Sequence, residues 1–546
     1  MPPAAGSCCT GALARAAPLA APRDRRTRLA LAALGVSSAA ACGVALQLAK
    51  LAMADGAGRQ LGGGSYGARA AFLAPFAAAK ALANLAAGAV ADGAWGRRAP
   101  ALMAWAAAAV ALPSLASAAG GLAGEGRVAG AWVLFALTAA ALGAQQGVTW
   151  SLALVFAIDV AGDGLRGLAS GVVESLGYGA AAAMAPLYDA WEGAAVRCAW
   201  REPAPAQVGT ECAAAQNATC AAPDDWRPAC AGECVCEGYM GAFRVVALVC
   251  VAGFVLVLVG MYETAPGLGG GALSGVSAGA FVELVEGGSN SEGMDGMDGG
   301  LEGSADLEGV SLVAADEDAA AAAKGDGDGR RAEHGETGAR IAPGASRREV
   351  WWQTLWLNRS TAAMCAAGFV TNGVTGLIWG VISVWARDAA GVPGERRDAA
   401  LGAYALGKGL VQLGAGALSD WAGRRAIVAG GLAVNAGALC ALAVAAAGGT
   451  GADAAARWLI GCSIVLGLGT GALYPVLAAG VCDHAPRRVQ ATAVGAFRFA
   501  RDAGYAAGAL AGLLADAGSA SAAMGVCAAA SVGASALVAV RFTEAA

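Results

Sequence analysis

Long apolar runs separated by short polar breaks dominate this chain. A membrane-spanning helix needs about 20 mostly apolar residues, and twelve such runs can be read. In the first half they cover about 29–53, 68–91, 99–121, 129–158, 167–190 and 242–262. In the second half they cover about 358–385, 399–419, 425–447, 456–481, 489–514 and 519–541. Two longer stretches break the pattern, a cysteine-rich one at 192–240 and a Gly-, Asp-, Glu- and Ser-rich one at 264–349. The expected fold is an all-α polytopic membrane protein of twelve helices. A six-helix half at 29–263 follows a basic tail at 1–28, and a linker at 264–349 leads to a second half at 350–546.

Composition supports that class. Hydrophobic residues make up 57% and charged residues 14% of 546, against about 25% charge in a soluble domain, so a soluble enzyme is excluded. Lys+Arg 36 against Asp+Glu 41 leaves a net charge of −5, with no basic face for nucleic acid. Glycine, at 83 residues, lets helices approach closely in lipid. Short-loop arginines set the orientation. With the N-terminus inside, cytoplasmic segments carry Arg15, Arg23, Arg25, Arg26, Arg28, Arg97, Arg98, Arg166, Arg424, Arg425, Arg487 and Arg488. The opposite loops carry fewer. The acid-poor tail reads as a disordered cytoplasmic segment, with an organellar transit peptide as the alternative.

The cysteine-rich stretch holds Cys198, Cys212, Cys220, Cys230, Cys234 and Cys236, with an acceptor for N-glycosylation at Asn217. The orientation places it outside the cytoplasm, where disulfides form; sequence cannot choose their connectivity. No His lies nearby to favour zinc. These cues favour the plasma membrane or another secretory-route membrane, with a plastid envelope as the alternative. The second stretch is too polar to bury a core and reads as a cytoplasmic linker. Its Asp326 and Asp328 lack the closing Glu of an EF-hand loop.

The two halves repeat each other. Lys80, Asn84, Gly88 and Asp92 recur every fourth residue, followed by Gly96, Arg97 and Arg98. Lys408, Gln412, Gly416 and Asp420 do the same, followed by Gly423, Arg424 and Arg425. That spacing puts each set on one helix face. Gly143, Gly147, Trp150, Asp159, Gly171 and Glu174 recur as Gly467, Gly471, Tyr474, Asp483, Gly495 and Arg498, all at an offset of 324. Two repeats in parallel order describe a transporter built from two halves. The run from Gly416 to Arg425 resembles the loop signature of the major facilitator superfamily. Its first copy departs, with three residues between Asp92 and Gly96 instead of two. The resemblance covers about 29–262 and 350–541. It implies two pseudo-symmetric six-helix halves and a cytoplasmic gate at Gly88, Asp92, Gly96, Arg97, Arg98, Gly416, Asp420, Gly423, Arg424 and Arg425. Gln146 to Ser151, Arg166 to Ala169, Gly177-Tyr178 and the run Arg498-x2-Arg501-Asp502-x-Gly504-Tyr505 resemble a poorly characterised bacterial-type permease branch of that superfamily. Val173 stands where that branch tends to have Asn.

Ionisable residues inside spans are costly and mark pathways or partners. Here they are Lys80, Glu174, Lys408, Arg498, Arg501 and Asp502. Lys80 lies twelve residues from Asp92, about 18 Å at about 1.5 Å per residue; Asp502, Lys408 and Glu174 lie at comparable depth. In the resembled fold span two neighbours span eleven, and span five neighbours span eight. Two cross-half ion pairs are therefore expected, Lys80 with Asp502 and Glu174 with Lys408. Glu174 is the candidate proton carrier, and Arg498 with Arg501 the candidate hold on an anionic group. The alternative role for all of them is to lock helices together. Trp150, Asn372, Trp379 and Tyr474 are cavity candidates, each with helix packing as the alternative.

No Walker sequence, dinucleotide loop, metal cluster or nucleophile–base set appears, so no enzyme, cofactor or metal is expected. The reading is a secondary active transporter of a small solute by alternating access, coupled to protons and monomeric in the bilayer. The rival is a transporter-like receptor or scaffold that uses the cysteine-rich loop or the linker.

Overall fold

The computed structural model describes residues 24–59, 72–93, 95–124, 126–195, 198–201, 233–236, 238–264, 341–342, 344–449, 451–517 and 519–545. Twelve long helices make up most of them. In the first half these are α1 (Arg25–Arg59), α2 (Leu73–Ala91), α3 (Arg98–Gly124), α4 (Val128–Ala161), α5 (Arg166–Ala195) and α6 (Gly238–Gly260). In the second half they are α7 (Arg359–Leu377), α8 (Gly394–Ala422), α9 (Arg424–Ala447), α10 (Ala452–Asp483), α11 (Gln490–Ala517) and α12 (Ala520–Arg541). Beyond Leu377, α7 runs on through wide π-type turns at Ile378–Ile382 and Trp385–Ala389. A short helix at Arg347–Trp352 precedes it, started by a Ser346–Glu349 capping box.

Among the described residues nine helices are long and apolar enough to cross a membrane by length and composition. The three that fall short are α5, α8 and α11. These carry Glu174, Lys408, and the set Arg498, Arg501 and Asp502. Their lower hydropathy has a packing reason: they form the inner faces of the two halves, where polar groups have protein neighbours instead of lipid. Apolar residues such as Leu82, Val110, Leu248, Leu410 and Val444 are exposed on the outside, as a lipid-facing surface requires.

Within each half the same neighbours recur. α1 packs on α5 and α6, α2 on α4, and α3 on α4 and α6; correspondingly α7 packs on α11 and α12, α8 on α10, and α9 on α10 and α12. Between the halves, two seams carry most of the contact, α2 against α11 and α5 against α8. Both seams are closed by glycine. At Gly88 a Cβ would collide with the carbonyl of Ala491, and at Gly416 with that of Gly167. Gly96 (φ 62°) and Gly423 (φ 89°) turn the chain into α3 and α9 in the left-handed region that glycine tolerates.

One feature departs from an all-helical reading. Strands β1 (Cys198–Arg201) and β2 (Glu233–Cys236) pair antiparallel, with Cys198 opposite Cys236 and Trp200 opposite Cys234. Cys212, Cys220, Cys230, Asn217, residues 1–23 and residues 265–340 lie outside the described residues, as do the side chains of Cys198, Cys234 and Cys236. The expected disulfides and glycan therefore gain no support. The cysteines whose side chains are described, Cys42, Cys250, Cys365, Cys440, Cys462, Cys482 and Cys527, are free thiols.

Candidate translocation site between the halves

At the end that the arginine bias assigns to the cytoplasm, each seam ends in the same latch. Asp92, at the end of α2, accepts hydrogen bonds from the N–H groups of Ala491 (3.3 Å) and Thr492 (2.6 Å) and from the Thr492 hydroxyl (2.7 Å). Asp420, near the end of α8, accepts from the N–H groups of Gly167 and Leu168, both at 2.8 Å. In each case the carboxylate of one half caps the first turn of a helix in the other half. The free N–H groups and positive end of a helix dipole make that a natural anion position.

Arginines brace both latches. Arg97 lies 3.6 Å from Asp92 and 2.5 Å from Asp159. Arg424 lies 2.7 Å from Asp420 and 3.0 Å from Asp483. Two further pairs cross between the halves, Arg166 with Asp483 at 3.1 Å and Arg487 with Asp163 at 3.0 Å. Burial raises the Asp92 carboxyl to about 6, against the opposing pull of Arg97 and the Thr492 and Ala491 hydrogen bonds. Sequence reasoning missed two more acids. Glu263 accepts from the Arg97 N–H at 3.0 Å, and Glu544 from the Arg425 N–H at 2.8 Å. Each follows the last helix of its half and caps α3 or α9, a correspondence that extending the repeat would have revealed. Arg98 and Arg425 donate back to carbonyls of those last helices, Leu258 and Ala539.

Deeper in, the two seams differ. At α2–α11, Asp502 lies 3.6 Å from Lys80. It also accepts from Asn84 (2.7 Å), Asn372 (2.8 Å) and its neighbour Arg501 (3.0 Å). Ser151 in turn donates to Asn84 at 2.6 Å. At α5–α8 the expected pair of Glu174 with Lys408 does not form. Glu174 lies 3.7 Å from Arg498 and 3.6 Å from Arg501, and neither of its oxygens has a hydrogen bond. Lys408 instead sits against two aromatic faces, 3.7 Å from the Tyr178 ring centre and 3.8 Å from that of Tyr474. The amide of Gln412, one turn along, has no hydrogen-bond partner. Arg498 and Arg501 thus lie beside acids of the protein itself, while the whole Arg498 guanidinium and both terminal nitrogens of Arg501 have no hydrogen-bond partner.

Just outward of this layer, a cavity of 40 Å³ is lined by Gln47, Lys50, Tyr178, Thr375, Trp379, Tyr404, Lys408 and Tyr505, among others. That is room for a few waters and not for a metabolite. Of the expected cavity residues, Trp379 lines it. Tyr474 and Asn372 lie beneath it, joined by a bond from the Tyr474 hydroxyl. Trp150 packs on Tyr178 at 5.0 Å between ring centres. Lys50 on α1 was not anticipated; its ammonium lies 5.5–5.8 Å from the rings of Phe76, Trp379 and Tyr505. A lone Lys inside the first apolar run was the available signal. Among the described residues no cluster of His, Cys, Asp or Glu could hold a metal ion.

Two repeated six-helix bundles closing on a buried polar layer define the class, an integral membrane protein with a secondary-transporter fold. The family model described as Major Facilitator Superfamily matches residues 364–546, and the chain as a whole takes the fold of that superfamily's transporters. The human organic anion transporter MFSD10 (TETRAN) superposes with a TM-score of 0.55 at 12% identity, covering 95% of this chain and 100% of that one. The E. coli fucose:proton symporter FucP gives 0.55 at 12% identity, over 95% and 100%. The proton:xylose symporter XylE gives 0.55 at 11% identity, over 95% and 96%. No curated protein matches the chain in sequence. The sequence match is thus confined to the second half of the chain, while the likeness in fold extends over its length.

Proposed function

We propose that this protein is a secondary active transporter that moves a small solute by alternating access and couples it to protons through Glu174. The observation that carries the reading is the doubled latch. Asp92 and Asp420 each close on a helix start of the opposite half, beneath a cavity too small for a solute. Opening these latches breaks hydrogen bonds at helix ends and no bond within a helix, so the halves can rock as bodies. Glu174 suits proton carriage because it is fully buried and held by charge alone, with no hydrogen bond to either oxygen. The charges nearest to it, Arg498 and Arg501, lie across the gap between halves. In this reading the tail 1–28 and linker 264–349 face the cytoplasm and the cysteine-rich loop faces the other side.

The test is substrate-dependent proton movement in proteoliposomes across a panel of metabolites and drugs, with wild type beside Glu174→Gln. The expected result is a compound-dependent pH signal that the variant loses. A signal unchanged in the variant removes Glu174 from coupling. Absence of flux for every compound, in protein shown to be folded, turns the reading towards the receptor alternative. Deleting 270–345 separates those two: a transporter keeps its flux, and a scaffold that works through the linker loses its role.

A further inference from the structure

The polar layer between the halves is out of charge balance. Five cations, Lys50, Lys80, Lys408, Arg498 and Arg501, gather around two carboxylates, Glu174 and Asp502. The carboxylates are already shared: Asp502 by Lys80 and Arg501, Glu174 by Arg498 and Arg501. Among the described residues, Lys50 and Lys408 have no carboxylate partner. Lys408 is buried and Lys50 partly so, and a charge taken out of water without a counter-charge is costly. Neutral rings return only part of that cost through cation–π attraction.

Those two unpaired ammonium groups line the same cavity. We propose that the occupant supplies the missing negative charge: the substrate is a small organic anion. Its carboxylate or similar group sits between Lys50 and Lys408, and its body lies against Tyr178, Tyr404, Tyr505 and Trp379. The rings that hold the lysines when the cavity is closed become the walls that hold the anion when it opens. A neutral sugar or a cation would leave the charge excess standing or increase it, so the site selects against both. The hold on the anion falls to the lysines because they line this cavity and the two arginines, which lie beside Glu174 and Asp502, do not.

As a statement of what is carried, this inference rests on the transporter reading; as a statement of what binds, it can fail separately. Full-length protein in nanodiscs is titrated near neutral pH with benzoate, phthalate and succinate, and with the corresponding amides, by calorimetry. At least one carboxylate is expected to bind about tenfold or more tighter than its amide. Lys50→Gln and Lys408→Gln should each weaken it about tenfold or more, while Lys50→Arg and Lys408→Arg keep most of the affinity. The Arg variants retain the charge, so they separate loss of binding from loss of fold. Amides that bind as well as acids, a panel in which no acid binds, or a Gln variant with wild-type affinity would each overturn the proposal. Anion binding without flux into proteoliposomes removes the transport reading and leaves the site. Flux of a neutral solute without anion binding does the reverse.

Discussion

The two seams match at their latch end and diverge deeper in the bundle. Asp92 on α11 and Asp420 on α5 are the same device used twice. One layer deeper, Asp502 collects three hydrogen bonds and the Lys80 ion pair, while Glu174 collects none of the former. A carboxylate with its lone pairs filled holds two helices in one arrangement. A buried carboxylate with none filled is stabilised only by nearby charge and is free to change state when those charges move. Pseudo-symmetry thus supplies the hinge and latch, and departure from it supplies the place where chemistry differs.

Removing each acid should separate these roles most sharply. Asp502→Asn leaves Lys80 and part of Arg501 buried without their partner. It should cost about 3–5 kcal/mol, read as thermal unfolding of the purified protein in lipid. Glu174→Gln leaves Arg498 without its acid but loses no hydrogen bond, so it should cost less, yet abolish proton movement. Equal stability losses would end the contrast. Next in size are the pair couplings. A double-mutant cycle of Lys80→Ala with Asp502→Ala should give about 1–3 kcal/mol, and one of Lys408→Ala with Glu174→Ala less than about 0.5 kcal/mol. A large value for the second cycle would restore the pair that the depth argument expected.

That failed pair shows what was legible. Run length was enough for twelve helices, three of which fall short in hydropathy, and four-residue spacing was enough for the latch faces, because both depend on local geometry alone. Depth along the helix axis also brought Lys80 to Asp502. Depth says nothing about rotation about the axis, however. Arg498 and Arg501, three residues apart on α11, both turn towards Glu174, and the Tyr178 and Tyr474 rings take the ammonium of Lys408. Lys50 escaped for a related reason. It lies three residues inside the end of its apolar run, where a long cation ordinarily reaches out to the interface; the structure turns it inward onto aromatic rings.

If the latches are equivalent, crowding them should have equal effects. Gly88→Ala and Gly416→Ala each push a methyl group into a carbonyl of the facing helix. Each should disfavour the cytoplasm-closed state by about 1–3 kcal/mol, seen as wider distances between spin labels at the cytoplasmic ends of the seams. A widening confined to one seam would mean that the latches open independently and that the halves do not rock as bodies.

The smallest effect concerns acidity at Asp92. In the closed state burial holds this carboxyl at about 6, above its usual 3.8. Opening separates it from α11 and admits water, which returns it towards the ordinary range. The closed state therefore binds the proton more tightly, and lowering the pH must favour closure. The gain begins as pH falls towards 6 and levels off near the open-state value. Between pH 7.5 and 5 it amounts to roughly a tenfold shift towards closed. Spin-label distances between the cytoplasmic ends of α2 and α11 should shorten over that interval in wild type and not in Asp92→Asn. Arg97 is the charged group beside Asp92 at this latch. A shift that persists in Asp92→Asn would assign the pH response to the deeper layer, and a shift towards open at low pH would reverse the sign argued for the latch.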